Sequence, residues 1–158
     1  MATRRITAGL LKESCVSYLI KRGYSCATEL GLNSWGKFRA DVIGMNLRAD
    51  LVIFEVKSSV ADYAGDSKWA AYVPFSNRMY FVFTESVFEK LRTRLAEDLK
   101  GTGVGVAVLC EKTGYLRIIV PAKKHKMEGK VKRTLIIRMA WRGGRSKRIE
   151  RRKRIYIG

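Results

Sequence analysis

The chain has 158 residues, the length of one domain, and 47% of them are hydrophobic, which excludes a wholly disordered polymer. Its 32 Lys and Arg against 14 Asp and Glu give a net charge of +18. Residues 1–120 carry 17 basic and 12 acidic side chains, whereas residues 121–158 carry 15 and 2. The expected partner is therefore a polyanion, nucleic acid first and an anionic membrane surface as the competing reading. Three cysteines without a CxxC pair and one histidine, His125, argue against a disulfide scaffold and against a zinc site. The N-terminus lacks the apolar stretch of a signal peptide, and no run approaches the about 18 apolar residues of a membrane span. A cytoplasmic protein without a membrane partner is expected.

Thr7 to about Arg22 reads as a helix: Leu11, Cys15, Tyr18 and Leu19 recur at helical spacing, Thr7 can cap the start and Gly23 can stop it. Ala40–Met45 and Leu51–Val56 read as strands joined by a turn over Asn46–Ala49. Ala61–Val73 is expected to be helical up to Pro74, and Met79–Phe83 alternates as a strand. Ser86–Lys100 is an amphipathic helix, with Ser86 as expected cap and Glu89 as its capping-box partner. Val104–Leu109 and Leu116–Val120 follow as strands around a turn at Lys112–Gly114. Gly101-Thr-Gly-Val-Gly105 lacks the GK[ST] ending of a phosphate loop and reads as a helix end and turn. Beyond Pro121 a basic loop is expected, then a strand over Thr134–Trp141 and a Lys/Arg-rich end. The fold class is α/β, one mixed sheet with helices on its faces. Residues 1–120 form the expected catalytic domain, and residues 121–158 a basic extension that binds nucleic acid.

Chemistry concentrates at Asp41 and at Leu51-Val-Ile-Phe-Glu-Val-Lys-Ser-Ser59. Side chains alternate along a strand, so Glu55 and Lys57 share one face while Val56 points into the core. A hairpin can return the chain so that Asp41 lies beside Glu55. Two carboxylates are what a hard divalent ion takes as ligands, and a neighbouring lysine can handle the attacking water or the developing charge. Glu and Lys two apart are common on exposed strands, but here they close an apolar strand that follows an Asp-headed one. Asp50, five residues before Glu55, falls on the opposite face. Glu13 lies at the border of the first helix's apolar stripe. Trp69 reads as core rather than as a base-stacking residue. His125, in a Lys-rich loop, is not expected to be a catalyst.

The pattern resembles the PD-(D/E)XK nuclease superfamily, with Asp41 as the acid, Glu55-Val-Lys57 as the (D/E)xK half, and Ala40 where that family has proline. Members often add a third acid from the first helix; short archaeal-type Holliday-junction resolvases share such a Glu at similar spacing, here Glu13, with Glu29 as the rival. Arg39-Ala-Asp-Val-Ile, Glu55-Val-Lys-Ser-Ser, Asp62-Tyr, Asp66-Ser-Lys-Trp69 and Arg78-Met-Tyr-Phe81 are similar to the MmcB-like group of DNA-repair proteins. The resemblance implies a Mg²⁺-dependent DNA endonuclease, with Mn²⁺ able to substitute and no small-molecule cofactor. Asp41, Glu55 and the Val56 carbonyl would hold the metal, Lys57 would handle the water, and Glu13 would bind a second ion. Lys37, Arg39, Lys68, Arg142, Arg145, Lys147, Arg148, Arg151 and Arg152 are the expected DNA contacts. Branched DNA in recombination, repair or phage DNA processing is the expected substrate, and two cuts on a junction imply a homodimer. The alternative is a DNA- or RNA-binding protein on a nuclease fold that no longer cuts.

Overall fold

In the computed structural model the described residues are 6–34 and 36–155, with side chains to residue 143. Helix α1 (Ala8–Ile20) is followed by strands β1 (Ser25–Gly31), β2 (Arg39–Met45) and β3 (Leu51–Val56). Helix α2 (Val60–Ala64), a 3-10 segment (Trp69–Phe75), β4 (Arg78–Thr84) and α3 (Glu85–Asp98) come next, then β5 (Gly105–Leu109), β6 (Leu116–Val120) and α4 (Gly129–Ile155). The six strands form one sheet in sequence order. Neighbours are antiparallel except β3–β4 and β4–β5, which are parallel and therefore need crossovers, supplied by α2 with the 3-10 segment and by α3.

Both faces are covered. Leu11, Cys15 and Leu19 of α1 pack on Val42, Val52, Phe54, Val56 and Val82. The other face carries Ile43, Ile53, Phe81, Phe83 and Val106 against Tyr63, Phe88, Leu91 and Leu95. β3 is buried along its whole length, the expected state of a central strand sandwiched between two layers. Trp69 sits edge-on to Phe81, 5.6 Å between ring centres, as the core residue it was expected to be. The His125 ring contacts the Val73 carbonyl oxygen at 3.0 Å, a structural role.

Four local expectations need correction. The segment expected as one helix to Val73 is broken at Gly65 into α2 and the 3-10 segment, which contains Pro74. A 3-10 turn tolerates a proline that a longer α-helix would not. The cap of α3 is Thr84, whose hydroxyl accepts from the Val87 N–H, while Ser86 bonds Glu111 and Glu89 pairs with Arg92. An additional strand, β1, precedes the Asp41 strand. The strand expected at Thr134–Trp141 is part of α4: Val131, Leu135 and Met139, four residues apart, face the core, with Leu135 and Met139 buried in it.

Candidate active site

The site lies where β2 and β3 part. Their ladder ends at the pair Val42–Phe54, and the next register position sets Asp41 opposite Glu55. There the carboxylates take over from the backbone: Glu55 Oε1 accepts from the Asp41 N–H at 3.1 Å, and Asp41 Oδ2 accepts from the Val56 N–H at 2.9 Å. Each acid is thus held by the strand that carries the other. Val56 itself points into the α1 layer, as the alternation along β3 requires.

Burial sets the electrostatics. Glu55 is 4% exposed, and its carboxyl is pushed up to about 8, first by loss of water and then by the charge of Asp41. Asp41 is raised by desolvation too, an effect opposed by the Val56 N–H and by Lys12. Lys57, also buried, pairs with Asp66 at 2.6 Å. Asp66 sits in the turn between α2 and the 3-10 segment, and its other oxygen accepts from the Lys68 N–H. The pairing gives the Lys57 ammonium a fixed direction.

These groups line a cleft of about 500 Å³ that also includes Lys12, Lys37, Arg39, Asp62 and Tyr72. Lys37 and Arg39, which line it, are exposed. Lys68 is exposed but does not line the cleft, and Asp50 is engaged elsewhere, with Lys124 at 2.9 Å.

Glu13 requires correction. It is exposed and lines not the cleft but an adjoining groove with Val16, Thr28, Lys12 and Glu29, because turning Leu11 and Cys15 toward the sheet carries Glu13 away from Asp41 and Glu55. The side chain that α1 delivers to the site is Lys12. Its ammonium hydrogen-bonds Glu29 and lies 3.6 Å from Asp41 Oδ1. Glu29 also pairs with Arg39 at 2.6 Å. The hydrogen bond from Lys12 holds the Glu29 carboxyl below its ordinary range and raises Lys12 in return. Lys12 was missed because it borders the apolar stripe as an ordinary charged residue would. Its one sequence signal is adjacency to Leu11, the most deeply packed residue of the helix start.

Helix α4 brings further cations to the same edge. Arg138 donates to the Gly31 carbonyl at 3.2 Å, and Arg142 donates to the carbonyls of Thr28 and Glu29. The side chains of Arg145, Lys147, Arg148, Arg151 and Arg152 lie outside the described residues. Among the described residues, no three His, Cys, Asp or Glu side chains converge as a metal site. The donors of the Asp41–Glu55 pair are the hard oxygens that Mg²⁺ prefers, and the repulsion between the buried Glu55 and the half-buried Asp41 carboxylates is relieved by a cation. The residues fit the ion.

No helix among the described residues is long and apolar enough to cross a membrane. No curated protein matches the chain. It is similar to the solved structure of the SPO1766 protein of unknown function from Silicibacter pomeroyi, at 20% identity and a TM-score of 0.72 over 92% of each chain, a likeness of fold. Residues 2–153 match the family described as DNA repair protein MmcB-like. With the Asp41, Glu55 and Lys57 arrangement in a mixed sheet, the chain belongs to the MmcB-like DNA repair protein family and so to the PD-(D/E)XK-like nucleases.

Proposed function

We propose that the protein is a Mg²⁺-dependent DNA endonuclease that acts on branched or structured DNA during repair or recombination, with Mn²⁺ able to replace Mg²⁺. The observation that carries this reading is the interlocked Asp41–Glu55 pair, a half-buried and a buried carboxylate at the opening between two strands with Lys57 beside them. An isolated structural acid pair would cost stability for no return, so the repulsion is best understood as preparation for a cation.

Asp41, Glu55 and the Val56 carbonyl would hold the ion, which supplies Lewis acidity to activate water and offsets charge on the phosphate. Lys57, aimed by Asp66, orients the attacking water and counters the charge that develops as the phosphodiester bond breaks. Lys37 and Arg39 hold the scissile strand at the mouth. The basic α4 extends that positive surface along the β1 edge, where phosphate contacts position the duplex without reading sequence. A four-way junction needs two cuts, so the reading includes a homodimer on that substrate.

The test is cleavage of a panel of four-way junction, flap, nicked and plain duplex DNA, with Mg²⁺ and with EDTA. Metal-dependent cutting of a branched substrate supports the proposal. Binding without cutting at any Mg²⁺ or Mn²⁺ concentration would reassign the protein as a DNA-binding module on a nuclease fold.

A further inference from the structure

We infer that Lys12 is the built-in second cation of this site: its ammonium occupies the flank of Asp41 where another metal ion would bind, and the protein therefore works with a single divalent ion. The inference rests on the reading of Asp41 and Glu55 as metal ligands.

Geometry carries it. Asp41 Oδ2 is engaged by the Val56 N–H, and Lys12 stands 3.6 Å from the other oxygen, Oδ1. Lys12 is not a loose surface charge that happens to point this way, because Glu29 holds it. Glu29 falls opposite Asp41 in the β1–β2 register, between the pairs Thr28–Val42 and Leu30–Ala40. Its φ is 52°, a left-handed backbone that non-glycine residues adopt where their surroundings enforce it, most often at functional sites.

The surroundings here are three cations. Lys12 and Arg39 take the Glu29 carboxylate, and the Arg142 guanidinium takes two successive carbonyls, Thr28 and Glu29. In a regular strand successive carbonyls point to opposite sides, and the left-handed residue is what turns both toward one guanidinium. The Glu29 carboxylate, one-third exposed and taken by Lys12 and Arg39, fixes Lys12 against Asp41.

Ion pairing points the same way. Among the acids lining the cleft, Asp66 is paired with Lys57, and the exposed Asp62 accepts from the Ser58 N–H. Asp41 and Glu55 are the two set directly opposite each other, the pair that one divalent ion would bridge. A second ion on the Oδ1 flank of Asp41 would have to sit against the Lys12 ammonium, and the carboxylate beyond it, Glu29, is already taken by Lys12 and Arg39.

The experiment is calorimetric titration of Mn²⁺ into the metal-stripped full chain, without DNA. One ion per wild-type chain is expected. Lys12→Met should keep one ion and bind it at least tenfold more tightly, because a neighbouring positive charge has been removed. Lys12→Glu should bind two. Two ions on the wild type would overturn the inference while leaving the metal-dependent nuclease reading intact, and that measurement needs no variant to fold. Unchanged Mn²⁺ affinity in Lys12→Met would also overturn it. No Mn²⁺ binding by the wild type would instead overturn the assignment of Asp41 and Glu55 as ligands, and the role of Lys12 with it.

Discussion

Replacing Glu55 by Gln should make the metal-free protein more stable, and increasingly so in alkali. The carboxyl is displaced from 4.5 to about 8 by burial and by Asp41. Below about pH 4.5 it is protonated in both folded and unfolded chains and costs nothing. Between there and about pH 8 the folded protein keeps a proton that the unfolded chain releases, so stability falls as the pH rises. Above about pH 8 the whole cost is carried. At about 1.4 kcal/mol per pH unit the ceiling is about 5 kcal/mol, and sharing of the titration with Asp41 brings the expected gain to about 2–4 kcal/mol. Gln retains an oxygen to accept the Asp41 N–H, so the hydrogen bond that closes the strand pair survives. For a domain of this size that gain raises the melting temperature by about 5–10 °C at pH 9 and by far less at pH 5. The assay is thermal unfolding of both proteins in EDTA at the two pH values. Adding Mg²⁺ should then raise the wild-type melting temperature and leave the variant's unchanged, since ligand binding to the folded state is what stabilises. A Gln variant no more stable than wild type at pH 9, or equally stabilised at both pH values, would refute the reasoning.

Lys57→Ala should abolish cleavage while metal still binds, and should cost about 2–4 kcal/mol because Asp66 loses its buried partner, a loss read by denaturant unfolding. Glu29→Gln should slow cleavage strongly and Glu13→Gln hardly at all, since Glu29 holds Lys12 and Arg39 whereas Glu13 is exposed outside the cleft; equal rates in single-turnover assays would contradict this. Truncation after Trp141 should weaken binding about equally for all DNA shapes and flatten the log–log salt slope by about 0.9 for each phosphate no longer neutralised, while Leu135 and Met139 keep the fold together. Leu135→Ala, in contrast, should cost about 2–5 kcal/mol by opening a cavity under α4, measured in the same unfolding assay.

The central strands and the acid pair were legible in the sequence because their signals are local. Leu51–Val56 is a run of β-formers buried on both faces, and the face shared by Glu55 and Lys57 follows from strand parity alone. β1 was not legible. As an edge strand with exposed Ser25 and Thr28 and a left-handed Glu29, it has neither alternation nor high β-propensity. α4 was hidden by composition: Thr-Leu-Ile-Ile at 134–137 favours a strand locally, and packing of Val131, Leu135 and Met139 on the sheet overrides it. The third charged group at the acid pair was the hardest to find. Choosing between neighbours on one helix requires its rotation about its axis, and that rotation is set by how deeply Leu11 and Cys15 seat on β2 and β3.

The exchange of side-chain for backbone acceptors at the parting of β2 and β3 makes two peptide protons into reporters of the cleft. The N–H groups of Asp41 and Val56 end on carboxylate oxygens, whereas at the far end of the hairpin those of Arg48, Asp50 and Leu51 end on the neutral amide oxygens of Asn46 and Asn77. Whatever withdraws electron density from those carboxylates, a proton or a cation, lengthens both bonds without disturbing the ladder from Val42 to Met45. Their amide resonances and their rates of exchange with solvent deuterium therefore follow occupancy of the cleft directly, at two positions known in advance and against a silent background from the rest of the hairpin.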